Sequence, residues 1–578
     1  MIELSPLPTL DKHAPGASSK DETMAQLSNF EDLLTLVGGW SRYQKTVLGF
    51  FFIICMFLAY ATYTPILFLY TPDHHCSVDH IWNVTNDQTR SWSREELANM
   101  IIPFDEVTGK RSSCLIYDIP SRQLTQVTKA NITNFPTTKC THGWTYNITG
   151  LFSSAINEMD WVCDDAWRGP FSQSMFSMGA IFGKVVFGYV ADSYGRLAAC
   201  YASNILLMLA GLATPFFTDF IGFISMRFLQ GIAFDTFFAV FYVLALECVA
   251  ANKRALIGNL ALALGMTVAG CFEPWALYFL KDWKILNTIL YAQVVVIMLA
   301  PWFVFESIRW LASQGRIDDA FETLLKIGKV NEKEVHPDLK PVIMKILSNE
   351  QIDANGEAST KQKQAILWDL FKTPNMRKNF ILMVIVFMFT HGLFDMNVRI
   401  IGNLEQSIFI TFTISAFLEL PADLLAIVGL DWIGRRWSAF LSLILSGIAM
   451  LTGALLTSYP IALLIMTMIG RLCVTYALNT VFNICLEIVP TVVRGQGMAM
   501  AKLLADLAIF TSPYVVFTGS IHMAIPFIII GVLSILSGIL AVFLPETADE
   551  HLPDTMEDGE AFGRNQDFWN VPILKRLK

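Results

Sequence analysis

Charge is scarce in this 578-residue chain: 16% of its residues are Asp, Glu, Lys or Arg, against 54% that are apolar. Soluble domains carry about a quarter charged residues, so this chain has too little polar surface to enclose its apolar content in water. A basic tract is absent, which argues against nucleic-acid binding, and the net charge of -9 is spread over the termini and loops. His-Glu-x-x-His, Gly-x-Ser-x-Gly and Cys-x-x-Cys are missing too, so the sequence offers no zinc-hydrolase, serine-hydrolase or thiol-redox chemistry. Gly179-Ala-Ile-Phe-Gly183-Lys184 falls short of a phosphate loop, with three residues between the glycines and no Ser or Thr after the lysine. No metal, cofactor or nucleotide is expected, and an enzyme is not.

Long apolar runs are what the chain has instead. About 20 such residues cross the roughly 30 Å hydrocarbon core of a bilayer as a helix. Runs of this kind lie near Thr46–Tyr70, Phe171–Ala191, Leu197–Phe217, Phe220–Val249, Leu256–Leu280 and Ile285–Phe305. A second set lies near Phe380–Met396, Ser407–Leu430, Ser438–Leu456, Ile461–Ile488, Gly497–Gly519 and Met523–Leu544. The expected fold is all-α and membrane-embedded, with about twelve spanning helices. The first apolar run is longer than the apolar region of a cleaved signal peptide and is expected to stay.

Basic residues mark one side of this arrangement: Arg196, Lys253, Arg254, Arg435, Arg436 and Arg494 sit in short loops that alternate with the spans. Positive loops face the cytoplasm, which would put both termini and the segment from Glu306 to Lys378 there. The loop at 71–168 then lies outside, and it holds all three glycosylation sequons, at Asn83, Asn131 and Asn147. It also holds Cys76, Cys114, Cys140 and Cys163, which read as two disulfides with three possible pairings. The other six cysteines read as small apolar residues of helices.

The chain repeats at half length. Gly188, Asp192, Gly195 and Arg196 in the second loop are echoed by Asp431, Gly434, Arg435 and Arg436, while Glu247 and Arg254 are echoed by Glu487 and Arg494. Glu306-Ser307 recurs as Glu546-Thr547. Two six-helix halves in a parallel repeat are what a carrier needs to rock about a central site. The glycines permit tight reversals, and the charged residues read as gate and scaffold, with Asp192 and Asp431 able to face helix N-termini. The expected division is 1–45, an N-terminal half 46–305, a linker 306–378 with short helices, a C-terminal half 379–545 and a tail 546–578.

These motifs resemble the major facilitator superfamily and, within it, solute carrier family 22, whose members carry organic cations, anions and zwitterions. The resemblance rests on Gly39-Trp-Ser-Arg-Tyr-Gln44, the long cysteine-bearing loop, Met159-Asp-Trp-Val-Cys163-Asp, Arg227-Phe-Leu-Gln-Gly231, Glu306-Ser-Ile-Arg309, Glu487-Ile-Val-Pro490 to Arg494, and Leu544-Pro545-Glu546-Thr547. It implies uptake of small organic ions across the plasma membrane. Two positions depart from the family: Leu197 stands where a second basic residue is usual, and Phe305 where a proline is, so a weaker latch is expected in the first half.

Ionisable residues inside spans cost about 2.5–3.5 kcal/mol each at a helix centre on insertion scales and are the first candidates for function. The acidic ones are Asp235, Glu273, Asp395, Glu419, Asp423 and Asp506. Asp506 resembles the position where the family's cation carriers hold an aspartate, although Lys502 stands one turn earlier and can neutralise it. Glu419 resembles the family's acidic residue of the eighth span. Asp235 replaces a common lysine and is expected to bind substrate or pair with Lys184. Phe237, Phe238, Tyr242, Tyr476 and Tyr514 are candidate cage rings for a cation, and His391 reads as a packing or hydrogen-bonding residue, with a proton relay as the alternative. The expected function is potential-driven carriage of a small organic cation by alternating access, since 100 mV is worth about 2.3 kcal/mol per charge. Lys502, Arg399 and Arg471 favour a zwitterion or anion carrier instead, and a membrane sensor that does not transport is the remote alternative.

Overall fold

The computed structural model describes residues 29–79, 81–82, 93–105, 110–119, 132, 135–148, 150–333, 335–355, 367–404, 407–548, 550–564 and 566. Twelve helices among them are long and apolar enough to cross a membrane. In the first half these are α1 (Arg42–Phe68), α2 (Arg168–Ser193), α3 (Arg196–Ala213), α4 (Phe220–Glu247), α5 (Ala251–Leu280) and α6 (Trp283–Ala292), the last continued by 3-10 turns over Gln293–Trp302. In the second they are α7 (Pro374–Arg399), α8 (Ile408–Ile433), α9 (Arg435–Leu455), α10 (Pro460–Ile488), α11 (Arg494–Phe517) and α12 (Ala524–Ala541). Large apolar side chains such as Leu209, Phe279, Leu455 and Phe543 stand exposed on the outside of the bundle, where hydrocarbon replaces water.

Helices α5 and α7 begin about one turn or more before their apolar runs. Lys253, Arg254, Arg377 and Lys378 are helical although they are too polar for the hydrocarbon. Pro374 at the first turn of α7 suits its position, because an amide there would have no partner in the helix.

The apolar core has two main parts, one within the second half and one in the first half that also takes in Val398, Ile401, Ile408, Phe409 and Phe412 of the second. The strongest packing pairs are α2 with α4 and α9 with α12, and the halves meet where α2 touches α11 and α5 touches α8. Shifting every helix number by six exchanges these two contacts, as a parallel repeat requires. At the α2–α4 contact, Gly179 and Gly183 lie directly over Gly231 and Ile232 of α4, so close that an added Cβ would meet backbone atoms. The stretch that imitates a phosphate loop is therefore a small-residue packing seam.

The loop between α1 and α2 contains three two-stranded antiparallel ladders, pairing His74–Cys76 with Trp144–Tyr146, Phe104–Asp105 with Lys110–Arg111, and Leu115–Tyr117 with Thr137–Lys139. Disulfides join Cys76 to Cys140 and Cys114 to Cys163, resolving the three pairings that the sequence leaves open. Asn147 is exposed, while Asn83 and Asn131 lie outside the described residues. At the opposite end of the bundle, helix Ile317–Val330 buries Ala320, Leu324 and Ile327, and Asn331 just beyond it donates to the carbonyl of Val37. The helix Met556–Ala561 of the tail places Glu560 against the amides of Asn375 and Met376 at the start of α7. The end bearing the disulfides is called the loop face below, and the other the motif face.

Candidate functional site

The repeated motifs on the motif face build the same device twice. Gly195 and Gly434 have φ of 115° and 91°, left-handed values that admit glycine and let the chain reverse between α2 and α3 and between α8 and α9. The first amides of α3 are then held from far along the chain: Glu306 accepts from Arg196 at 3.2 Å and Leu197 at 3.0 Å. Glu546 accepts from Arg435 at 2.8 Å and Arg436 at 3.1 Å. A carboxylate suits a helix N-terminus, where unpaired amides and the helix dipole favour an anion.

Glu306 and Glu546, read in the sequence only as landmarks of the repeat, are thus the anions at these two helix ends. Asp192 pairs instead with Arg196 at 2.6 Å. The side chains of Asp431 and Arg254 lie outside the described residues. The two turns differ in one respect: Glu487 is engaged by Arg435 at 3.4 Å and by the Thr547 hydroxyl, whereas one oxygen of Glu247 is buried without a hydrogen bond. Arg494 donates to the carbonyl of Val489, and Gly188 has open space beside it.

Halfway along the helices the halves are joined by ions. Lys184 of α2 lies 2.7 Å from Asp235 of α4 and also bonds Asp506 of α11. Lys502 of α11 lies 3.1 Å from the same Asp235. The result is an alternating chain, Asp506–Lys184–Asp235–Lys502, with two charges of each sign. Lys184 is free to reach Asp235 because the glycine seam brings α2 and α4 close. Lys502 does not take Asp506, one turn away on its own helix, as its partner, and points to α4 instead.

A second buried pair lies between α8 and α10. Arg471, 1% exposed, bonds Glu419, which also accepts from the Tyr63 hydroxyl of α1 at 2.5 Å. The Arg471 guanidinium lies 4.1 Å from the Phe394 ring centre. Asp423, one turn along α8 from Glu419, accepts from the amide of Asn479 at 2.6 Å. Asp395 is bridged by Arg399 at 2.6 Å and by the Ser512 hydroxyl at 2.5 Å. The rings stand elsewhere. Tyr242 packs on Phe51 and Phe238 within the first half, and Tyr476 lies over Gly429 in a groove shared by α8, α9 and α10. The partnership of Lys184 with Asp506 left no mark in the sequence, since the two are 322 residues apart and on different halves.

Contacts between the halves cluster toward the loop face. Ser174 of α2 donates to the Phe510 carbonyl of α11, Cys271 of α5 lies 3.7 Å from the Thr413 carbonyl of α8, and Phe409 meets the rings of Phe152 and Tyr278.

Two six-helix halves in parallel repeat, closed by twin motif turns and joined by ion pairs at mid-helix, define a membrane carrier of the major facilitator type. The chain belongs to the sugar (and other) transporter family, whose sequence model matches residues 137–557. It is similar to the beta-alanine transporter of Drosophila melanogaster, with 27% identity over 561 residues that cover 92% of this chain and 89% of the relative. Solute carrier family 22 member 1 of Bos taurus is 28% identical, covering 92% and 93%, and the organic cation transporter protein of Drosophila melanogaster is 27% identical, covering 93% and 95%. The solved structure of the xylose transporter XylE from E. coli, in a partially occluded inward open conformation, shares the fold with a TM-score of 0.57 at 14% identity, covering 87% of this chain and 100% of that one. The chain is a multi-pass membrane transporter.

Proposed function

We propose that this protein carries small organic cations across the plasma membrane by alternating access, with uptake driven by the membrane potential. The observation that carries this reading is the bond from Lys184 to Asp506 at the meeting of the halves. An arriving ammonium takes the place of the lysine on Asp506, and Lys184 keeps its second partner, Asp235, so no carboxylate or lysine is left uncompensated. In a low-dielectric site the exchange of one cation for another costs far less than the burial of a new charge.

The concentration of between-half contacts near the loop face supports a conformation closed on that side and poised toward the motif face. Taken with the positive-inside rule and the sequons of the loop, this reading puts the motif face and both termini in the cytoplasm and divides the carrier into moving halves at 46–305 and 379–545, with Glu419 as a second anionic element. The two motif turns serve as gate scaffolds.

A specific observation favours a second reading. The ion chain offers two ammonium groups beside two carboxylates, a pattern that also complements a zwitterion, and one relative bears the name of a beta-alanine transporter. The test is uptake of labelled tetraethylammonium, carnitine and beta-alanine into expressing cells, with and without depolarisation, in the native chain and in Asp506→Asn. Saturable tetraethylammonium uptake that falls with both changes supports the cation reading. Uptake confined to carnitine or beta-alanine replaces it with the zwitterion reading.

A further inference from the structure

Apart from Glu247 at the end of α4, the buried carboxylates described so far have partners: lysines for Asp235 and Asp506, arginines for Asp395 and Glu419, an amide for Asp423. Glu273 of α5 does not. It is 0% exposed, and neither of its oxygens has a hydrogen bond within the protein among the described residues. The groups close enough to interact with it are neutral: Tyr60, Tyr63 and Thr64 from α1 and Tyr291 from α6. The Thr64 hydroxyl is near enough to act on the carboxyl as a donor, short of a full hydrogen bond, and it has no other partner among the described residues. From α8, Glu419 lies beyond Tyr63, whose hydroxyl it holds, and its charge is matched by Arg471 of α10. On α4, Arg227 interacts with the same Tyr291 and is engaged by Gln230 at 2.6 Å and by Gln173 at 2.9 Å. On α5 itself the nearest titratable groups are Cys271 and Tyr278.

Placement gives this residue a link to the transport movement. One turn before it, Gly270 packs against Ala416 of α8 and the Tyr63 ring, and Cys271 meets the Thr413 carbonyl, so Glu273 adjoins the contact that shuts the loop face. Pro274 follows directly and removes the helical hydrogen bond to the Gly270 carbonyl, leaving α5 able to bend at this level. A bare carboxylate buried without a counter-ion costs several kcal/mol, a cost that a bound proton removes.

We infer that Glu273 is a proton-binding site: it takes one proton from water while the loop face is open, holds it when α5 closes on α8, and so links proton binding to the movement of the halves. This rests on the transport reading above, and the proton itself is the ligand. The proton occupies one carboxyl oxygen and returns to water when the residue is next exposed, so no other reactant is consumed. Because the closed state holds the proton, acid favours closure and alkali favours opening of the loop face.

The test uses the full chain reconstituted in lipid, read by infrared spectroscopy for the carbonyl stretch of a protonated carboxyl. At neutral pH the native chain shows that band, Glu273→Gln removes it, and Asp423→Asn leaves it. A native spectrum without the band, or a band that Glu273→Gln retains, overturns the proposal. In cells, tetraethylammonium uptake by the native chain changes between about pH 6 and about pH 8 outside, and Glu273→Gln, which imitates the protonated state, loses that dependence. Identical pH profiles in the two would overturn the link to transport. If tetraethylammonium is not carried at all, the substrate reading fails, whereas the infrared band still decides whether Glu273 holds a proton.

Discussion

Lys184 of α2 bonds Asp506 of α11 across the junction of the halves while remaining 2.7 Å from Asp235 on its own side. If a substrate cation must displace the lysine, then Lys184→Gln removes a tethered competitor. The half-saturating concentration of tetraethylammonium should fall, by about tenfold for each 1.4 kcal/mol of competition relieved. A rise in that concentration would show that Lys184 helps to bind substrate.

Asp235 and Lys502 form the other bond of the chain across the halves, at 3.1 Å. Asp235→Asn and Lys502→Gln should each lower thermal stability, and the double variant should lose less than the sum, with a coupling of about 0.5–3 kcal/mol. Additive losses would mean that the two side chains act independently.

Spans were legible because about 20 apolar residues leave a mark that short-range patterning cannot hide, and the half-length repeat was legible because its motifs keep their spacing. Helix starts at Ala251 and Pro374 were less so, since the polar entry turns of α5 and α7 look like loop. For the site, the candidates Asp506, Asp235 and Lys502 do meet, but the partner at i, i+4 misleads. Helical spacing predicts Lys502 with Asp506, while the tertiary fold supplies Lys184 from 322 residues away. Tyr242 and Tyr476 are rings that stand apart from the ion chain, and only packing reveals which face a ring occupies.

Arg471 and Glu419 make a sharper stability test, because both are almost fully buried. Arg471→Ala strands an anion and should cost about 3–5 kcal/mol, while Arg471→Met combined with Glu419→Gln should recover most of it. The melting temperature of the purified chain measures both. Equal melting temperatures for the single and double variants would show that the pair is not what holds α8 to α10.

Burial raises the Glu306 carboxyl above its ordinary range, against the amides of Ser307, Leu197 and Arg196, which lower it. A carboxyl raised in the folded state binds its proton more tightly there than in the unfolded chain, so its contribution to stability is lost as pH rises through the raised value. Glu306→Gln has no such proton, and its stability relative to the native chain should therefore improve with rising pH. Glu306→Ala removes the cap altogether and should cost about 0.5–2 kcal/mol. A stability difference between Glu306→Gln and the native chain that does not vary with pH would place the titration elsewhere.

The holding of α3 by Glu306 and of α9 by Glu546 also bears on biogenesis. The residue that secures the start of α3 is made 110 residues after Arg196, and the one that secures α9 is made 111 residues after Arg435. On a ribosome that emits the chain from its first residue, a half-made bundle therefore has open helix ends on the motif face until its sixth helix has been inserted. Each half is fastened by its own last residues, and the first can be completed before the second has begun.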